Sequence, residues 1–347
     1  MTTLPTVAVV VLNYNGEKLL PEFLPSVYNS TYQNLRIILV DNASTDNSIE
    51  WVKNNFPTIE IIINDKNYGY AEGYHHALTK INNVDYFVLL NSDVEVSSMW
   101  IEPVIELMES NKNIAVAQPK ILSYVDKNMF EYAGAAGGFI DKFGYPFCQG
   151  RIFDTIEKDQ NQYSRNVEVF WASGAAMFIK AEIYHLSGGL DRDFFAHMEE
   201  IDLCWRIKNM GYKIYTCSNS VVYHLGGATL HESNPHKTYL NFRNSLITLR
   251  KNLALHKSFG IIFIRHLLDL IQWFRFILNG KFKHAFAINR AHYDFLITQS
   301  TWHNKRKKLL KLYKSPNNVG IYNRSIVFDY FILRNKTFHK LEQKKFL

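Results

Sequence analysis

Val84-Asp85-Tyr86-Phe87-Val88-Leu89-Leu90-Asn91-Ser92-Asp93 is an apolar run that stops abruptly in a short polar triplet. A short apolar run bounded by turn formers reads as a buried strand. A carboxylate at the carboxyl end of such a strand stands where open α/β sheets bind their ligands. Asp93 is therefore placed to hold a hard divalent cation, and through it a diphosphate.

Working outward from this run, strands and helices alternate. Residues 7–12 form an apolar strand, and 18–28 carry Leu19, Leu20, Phe23, Leu24 and Val27 at helical spacing. Strands at 36–40 and 59–63 alternate with helices through Phe56 and at 71–81, and 86–90 is the fourth strand. This alternation indicates βαβ units and a mostly parallel sheet flanked by helices. Beyond Asp93 the pattern loosens. Residues 100–110 read as a helix and 114–118 as a strand, and the glycine-punctuated 121–170 read as a meander over the sheet edge. Helices are expected at 178–187 and 200–210, with strand signals at 214–216 and 221–223. From Lys237 onward strand signals vanish, and helices are expected at 239–253 and 260–278.

Composition divides the chain at the same place. Residues 1–236 hold 17 basic and 28 acidic side chains, a net −11; residues 237–347 hold 22 and 4, a net +18. We therefore expect a catalytic α/β domain over 1–236 and a basic helical C-terminal appendage over 237–347. The appendage faces an anionic partner, and phospholipid or a lipid-linked diphosphate is favoured over nucleic acid, for which no signature is present. Residues 260–278 are long and apolar but contain Arg265, His266, Asp269 and Arg275, so they read as an amphipathic helix lying on a membrane or on the catalytic body. Cys148, Cys204 and Cys217 are too scattered for a disulfide framework or a zinc site. No secretory leader is visible, and a cytoplasmic protein, peripheral at the inner face of the plasma membrane, is the expectation.

The first three strands end in Leu12-Asn13-Tyr14-Asn15-Gly16, Asp41-Asn42-Ala43-Ser44-Thr45-Asp46 and Asn64-Asp65-Lys66-Asn67-Tyr68-Gly69-Tyr70-Ala71-Glu72-Gly73. Three neighbouring tips thus deliver polar groups to the edge that carries Asp93. Asp41 is suited to a base N–H or a ribose hydroxyl, and helix-start amides to phosphate. GxGxxG and GxxxxGK[ST] are both lacking, which argues against a dinucleotide oxidoreductase and a P-loop NTPase. Downstream, Phe194-Phe195-Ala196-His197-Met198-Glu199-Glu200-Ile201-Asp202 crowds three carboxylates against an apolar wall before a helix. They either favour the helix dipole or include a general base whose pKa is raised. His224, after an apolar run and before Gly226-Gly227, is either structural or a metal partner for Asp93.

The set VVVLNYNG, ILVDNASTD, NYGYAEG, LLNSDV, WASGAAMFIK, GGLDRDFF, EEIDLCWR and VYHLGG resembles glycosyltransferase family 2, inverting enzymes of the GT-A fold, and within it the rhamnosyltransferase-like branch. The resemblance covers about residues 5–255. It implies a sugar nucleotide donor, dTDP- or UDP-linked, a glycan or lipid-linked acceptor and a divalent cation, Mg²⁺ or Mn²⁺. It implies donor contacts at Leu12, Asn13, Asn15, Asp41, Asn42, Asn67, Gly69, Ala71, Gly73, Asn91 and Ser92. Asp93 and His224 would hold the metal, with Asn91 in place of the first acid of a DxD-type motif. The base would be Glu200, with Glu199 and Asp202 as alternatives, and Ser173, Gly174 and Asp191 would line the acceptor side. Tyr74 stands where relatives often carry Asn. The alternative is a sugar-nucleotide-binding protein of the same fold that performs no transfer.

Overall fold

A computed structural model describes residues 4–226 and 233–347. The N-terminal half runs β1 (Val7–Asn13), α1 (Leu20–Tyr28), β2 (Leu35–Asp41), α2 (Ser48–Asn55), β3 (Glu60–Ile63), α3 (Gly69–Leu78), β4 (Tyr86–Asn91), β5 (Val94–Val96), α4 (Glu102–Ser110) and β6 (Ile114–Ser123). A small second sheet follows: β7 (Gly138–Asp141), β8 (Pro146–Cys148), β9 (Arg151–Ile152) and β10 (Thr155–Ile156). The chain then returns through β11 (Val167–Val169), β12 (Ala176–Lys180), α5 (Ala181–Leu186), α6 (Glu199–Asn209) and β13 (Lys213–His224). It ends in α7 (Pro235–Asn252), α8 (Leu255–Leu278), α9 (Phe282–Ile297), α10 (Gln299–Leu310), β14 (Ile321–Tyr322) and α11 (Ile326–Phe331).

The main sheet has the order β11-β13-β6-β12-β4-β1-β2-β3, with β5 on β13. Its β4-β1-β2-β3 half is parallel, as the alternation of strands and helices requires. The other half is mixed, because β12 enters antiparallel between β4 and β6. β1 and β4 are buried almost throughout, with layers of side chains on both faces. The carboxyl ends of β1, β2, β3, β4, β6 and β13 and the amino end of β12 therefore lie along one edge.

Two local expectations are corrected. Residues 178–180, read as the start of a helix over 178–187, belong to β12 (Ala176–Lys180), and only Ala181–Leu186 is helical. Met177, Phe178 and Ile179 are all fully buried, and a short run of that kind carries no period by which strand and helix can be told apart. Strand pairing also resumes after Lys237: β14 lies parallel to β7.

The basic C-terminal stretch is packed into the body. Leu246, Ile247 and Leu249 of α7, Phe295, Trp302, Tyr322, Ile326 and Phe338 share one apolar cluster with Ala8, Val10 and Phe87 of the main sheet. Buried ion pairs fasten the same contact. Asp202 on α6 accepts from Arg206 (2.9 Å), from Lys251 (2.8 Å) and from Asn252 (2.8 Å). Asp191 accepts from Lys251 (2.6 Å) and from Lys305 on α10. Such pairs are costly to break one-sidedly, since the surviving charge stays buried.

Candidate active site

β1 and β2 end in a knot of polar side chains. Asn13 donates to Asp41 Oδ1 (2.9 Å) and to Ser48 Oγ (3.0 Å), and the Ser44 amide donates to Asp41 Oδ2 (3.0 Å). Asn15, at φ 52°, accepts from the Thr45 amide (2.8 Å). Asn42 donates to the Gly69 carbonyl (2.9 Å) and accepts from Asn64 (2.8 Å). Asn13, Asp41 and Asn42 are buried, so these side chains shape the loops at the sheet edge; Asn15 and Asn67 are exposed. Leu12 is half-buried beside them. Asn67 accepts from the Gly69 amide (2.9 Å), closing the turn before α3.

The start of α3 differs from expectation. The amides of Tyr70 and Ala71 both donate to the Phe195 carbonyl (2.9 and 3.1 Å), so these two helix-start donors are already bound within the protein. Gly73 packs against the Asn42 amide group, where an added Cβ would lie 2.8 Å from its nitrogen. Tyr74 is fully buried and donates toward the carbonyls of Leu90 (2.9 Å) and Val10 (3.2 Å), which makes it a brace beneath β1 and β4.

Asp93 and His224 meet, although 131 residues separate them. His224 Nε2 is 3.1 Å from Asp93 Oδ1 and 3.3 Å from Asn91 Nδ2. Its Nδ1 faces Glu131 Oε1 at 3.4 Å without hydrogen-bond alignment. Asp93 and His224 are each only 5% exposed. Burial works against charging the imidazole, but the hydrogen bond to Asp93 and the nearby charges of Asp93 and Glu131 outweigh it and raise its pKa to about 10. The site is thus built to hold positive charge between two carboxylates. Gly226, at φ 69°, lets the backbone pass Glu131, where a Cβ would lie 2.9 Å from Oε1; Gly227 lies outside the described residues.

The second cluster opens α6. The backbone reaches it through Phe195, His197 and Met198, all at positive φ (65°, 67° and 72°). This conformation is costly for side chains other than glycine and persists only where the surroundings enforce it. Asn244 of α7 is the enforcing group. Its Nδ2 lies 3.0, 2.9 and 2.8 Å from the carbonyls of Phe194, Ala196 and His197. Glu199 and Glu200 each keep a buried Oε2 with no hydrogen-bond partner. Burial, then the charge of Glu200, holds the Glu199 carboxyl well above its ordinary range; burial pushes Glu200 up to about 7. Asp202 lies on the same helix, but both its oxygens are engaged by Arg206, Lys251 and Asn252. It has no free lone pair facing a substrate.

Hydrogen bonds run along the edge between the two clusters, from Glu131 to Tyr70. The Ala133 amide donates to Glu131, and Ser173 Oγ donates to the Ala133 carbonyl. Next to Ser173, the Gly174 carbonyl accepts from Tyr70 Oη (2.6 Å), and Tyr70 is buried where the charges of Glu199 and Glu200 reach it. Ser173 itself is buried and turned into this chain; Gly174 is half-buried. Asp191, expected to face the acceptor, is turned to Lys251 and Lys305. Sequence reasoning missed Glu131 and Asn244. Glu131 lies in the irregular 121–170 segment, where no period announces a role. The one signal for Asn244 is a poor helix former in the middle of a helix.

The family model described as "Glycosyl transferase family 2" matches residues 8–181. The chain belongs to glycosyltransferase family 2. An N-acetylglucosaminyl-diphospho-decaprenol L-rhamnosyltransferase of Mycobacterium tuberculosis is 23% identical over 322 residues, covering 88% of this chain and 96% of that protein. Among solved structures, S. aureus TarS 1-349 superposes with TM-score 0.55 at 14% identity, covering 89% of each chain. The Pyrobaculum calidifontis mannosyltransferase in complex with GDP-Man and Mn²⁺ superposes with TM-score 0.51 at 15% identity, covering 90% of this chain and 86% of that one. These likenesses show the GT-A fold of the family, and the family makes the chain a transferase.

The residues of this family 2 chain suit a divalent cation. A neutral His224 with its Nδ1–H on the side of Glu131 would turn its Nε2 lone pair toward Asp93, and a carboxylate behind the ring is what orients a metal-ligating histidine. Among the described residues no group of three His, Cys, Asp or Glu is arranged to hold one metal ion, so protein would supply two ligands. Mg²⁺ sites of this kind draw the remaining positions from substrate phosphates and water.

Proposed function

We propose that this glycosyltransferase moves a sugar from a nucleotide diphosphate donor, dTDP- or UDP-linked, to a hydroxyl of a lipid-linked glycan, with inversion at the anomeric carbon. The observation that carries the reading is the pair Glu199, buried, and Glu200, half-buried, each with a buried Oε2 that has no hydrogen-bond partner, on the sheet edge that also holds Asp93 and His224. Asp93 and His224 would hold Mg²⁺ or Mn²⁺, which supplies charge neutralisation of the departing diphosphate. Asn91 and Ser92 lie beside them, and Asn15, Asn67 and Gly69 border the donor. Glu200 takes the proton from the acceptor hydroxyl, whose oxygen attacks the anomeric carbon opposite the leaving group. One such displacement inverts configuration, with a sugar hydroxyl where inverting glycosidases use water. A pKa near 7 suits this role, because the group is ionised at working pH and still basic enough to accept a proton. Burial and the Glu200 charge push the Glu199 carboxyl well above its ordinary range, which favours its neutral form and limits the charge in the pocket.

The lipid-linked acceptor is supported by α8, whose polarity is inverted. Its fully buried residues are Ser258, Arg265 and Asp269, while Phe259, Phe263, Leu267, Leu270, Ile271, Phe274 and Leu278 are exposed as one stripe. The exposed charges of α8 and α9 are Lys257, Arg275, Lys281, Lys283 and Arg290, without an exposed carboxylate. No helix among the described residues is long and apolar enough to cross a membrane. An apolar face rimmed by cations suits an anionic bilayer surface. The deciding experiment screens nucleotide sugars with Mg²⁺ or Mn²⁺ by thermal shift, then assays transfer to a lipid-linked glycan. A cognate donor should raise Tm, and Glu200→Gln should retain that shift and lose transfer. Transfer by Glu200→Gln at the wild-type rate would refute the mechanism.

A further inference from the structure

A groove of about 490 Å³ separates the first turns of α7 from the N-terminal half of α9, a volume suited to a small ligand. Its walls include His236 and Tyr239 on α7 and Phe282, Lys283, Phe286 and Arg290 on α9. Phe282, Phe286 and Arg290 repeat every four residues and so share one helical face. Both rings are well exposed, and the Arg290 guanidinium lies 5.0 Å over the Tyr239 ring. Asp294 touches this set, but its Oδ2 already accepts from Tyr239 Oη (2.6 Å) and lies 3.7 Å from Arg290 Nε. The groove therefore sets two cations against an apolar aromatic wall, with the carboxylate beside them engaged.

Its two ends lead to different places. At the α7 wall the His236 ring is 6.1 Å from that of Phe195, whose carbonyl caps α3 and which begins the strained approach to Glu199 and Glu200. At the α9 wall, Phe282 follows the last residue of the exposed α8 stripe, Leu278, by four positions. An amphiphile with an anionic head and an apolar tail matches this mixture of cations and exposed rings, which lies between the catalytic loop and the stripe. We propose that the groove seats the diphosphate and the first carbons of the lipid of a lipid-linked acceptor. Lys283 and Arg290 would meet the phosphates, and Phe282 and Phe286 the chain. This inference rests on the acceptor class proposed above.

The test uses the full chain and farnesyl diphosphate as probe, measured by calorimetry in EDTA, so that the Asp93–His224 pair has no ion with which to capture a diphosphate. Wild type should bind the probe, and Lys283→Gln/Arg290→Gln should weaken it at least tenfold. Lys307→Gln/Lys308→Gln on α10, an equal loss of charge, should leave binding within twofold. Stabilisation of each variant by UDP, dTDP or GDP with Mn²⁺ reports that fold and donor site are intact. Equal binding by the Lys283/Arg290 variant and wild type overturns the groove and leaves the acceptor class standing. An equal loss in the α10 variant also overturns it, since general basicity would then explain the affinity. Inorganic pyrophosphate binding as tightly as farnesyl diphosphate removes the lipid from the proposal. Absence of farnesyl diphosphate binding in a wild type that binds its nucleotide overturns both the groove and the lipid-linked acceptor.

Discussion

Glu200 is forced into the protein by the chain on either side of it, and its chemistry follows from that burial. Its Oε2 has no partner and its pKa is near 7, so transfer should rise with pH through about 7 and level off above. Stability should move the other way. A carboxyl whose pKa is raised on folding contributes stability that is complete below its ordinary range and lost as pH climbs through the folded value. Glu200→Gln removes that loss, so it should abolish transfer yet raise Tm by about 2 °C or more at pH 8, with little change at pH 5. Thermal melts at the two pH values, beside a transfer assay, check both halves. Asp93→Asn should behave oppositely at the donor, weakening Mn²⁺-dependent nucleotide binding at least tenfold in a titration where Glu200→Gln binds normally. The role of Asp202 was open in the sequence because three acids in four positions are chemically alike. Only the fold brings Lys251 and Asn252, some 50 residues away, onto one of them.

At the scale of elements, α7 does for α6 what α6 cannot do for itself. Three non-glycine residues at positive φ precede Glu199, and one Asn244 side chain spans the carbonyls of that loop. Asn244→Ala takes this donor from the Ala196 and His197 carbonyls, at about 1–3 kcal/mol for an unpaired buried group, while the Phe194 carbonyl keeps the Ala196 amide. It should lower kcat at least tenfold while the KM for the donor nucleotide sugar changes less than threefold, because the loop carries the base and not the metal pair. The fastening between α6 and α7 is a separate element. Lys251→Met takes one of two cations from each of Asp191 and Asp202, leaving Lys305 and Arg206, and should cost about 3 kcal/mol, the lower end for a broken buried pair, read as a lower urea midpoint. The helix misread at residues 178–180 belongs to this scale too. β12 is sandwiched between β4 and β6, and its buried residues carry no polar alternation to declare a strand.

Over the whole molecule, the parallel half-sheet was legible because four strands alternate with helices and each ends in its own polar tip. The Asp93 position was legible for the same reason. The contact of His224 with Asp93 could be anticipated from a resemblance but not from spacing, since it is the pairing of β13 with β6 and, directly beside Asp93, with β5 that brings His224 home. Least legible was the integration of residues 237–347. Their basic charge reads as a surface, while Leu246, Ile247, Phe295, Trp302 and Tyr322 lie in the main core. A chain ending at residue 236 should therefore show no cooperative thermal transition by circular dichroism, where an independent appendage would leave the transition intact. The exposed α8 stripe makes a further claim: Phe263→Ser/Phe274→Ser should reduce sedimentation with anionic vesicles several-fold and leave Tm unchanged. The most direct test of the account is a crystal structure with the cognate nucleotide sugar and Mn²⁺. The account predicts the ion bonded to Asp93, to His224 Nε2 and to the donor diphosphate, with the anomeric carbon turned toward Glu200. An ion held without Asp93, or a sugar pointing away from the start of α6, would contradict it.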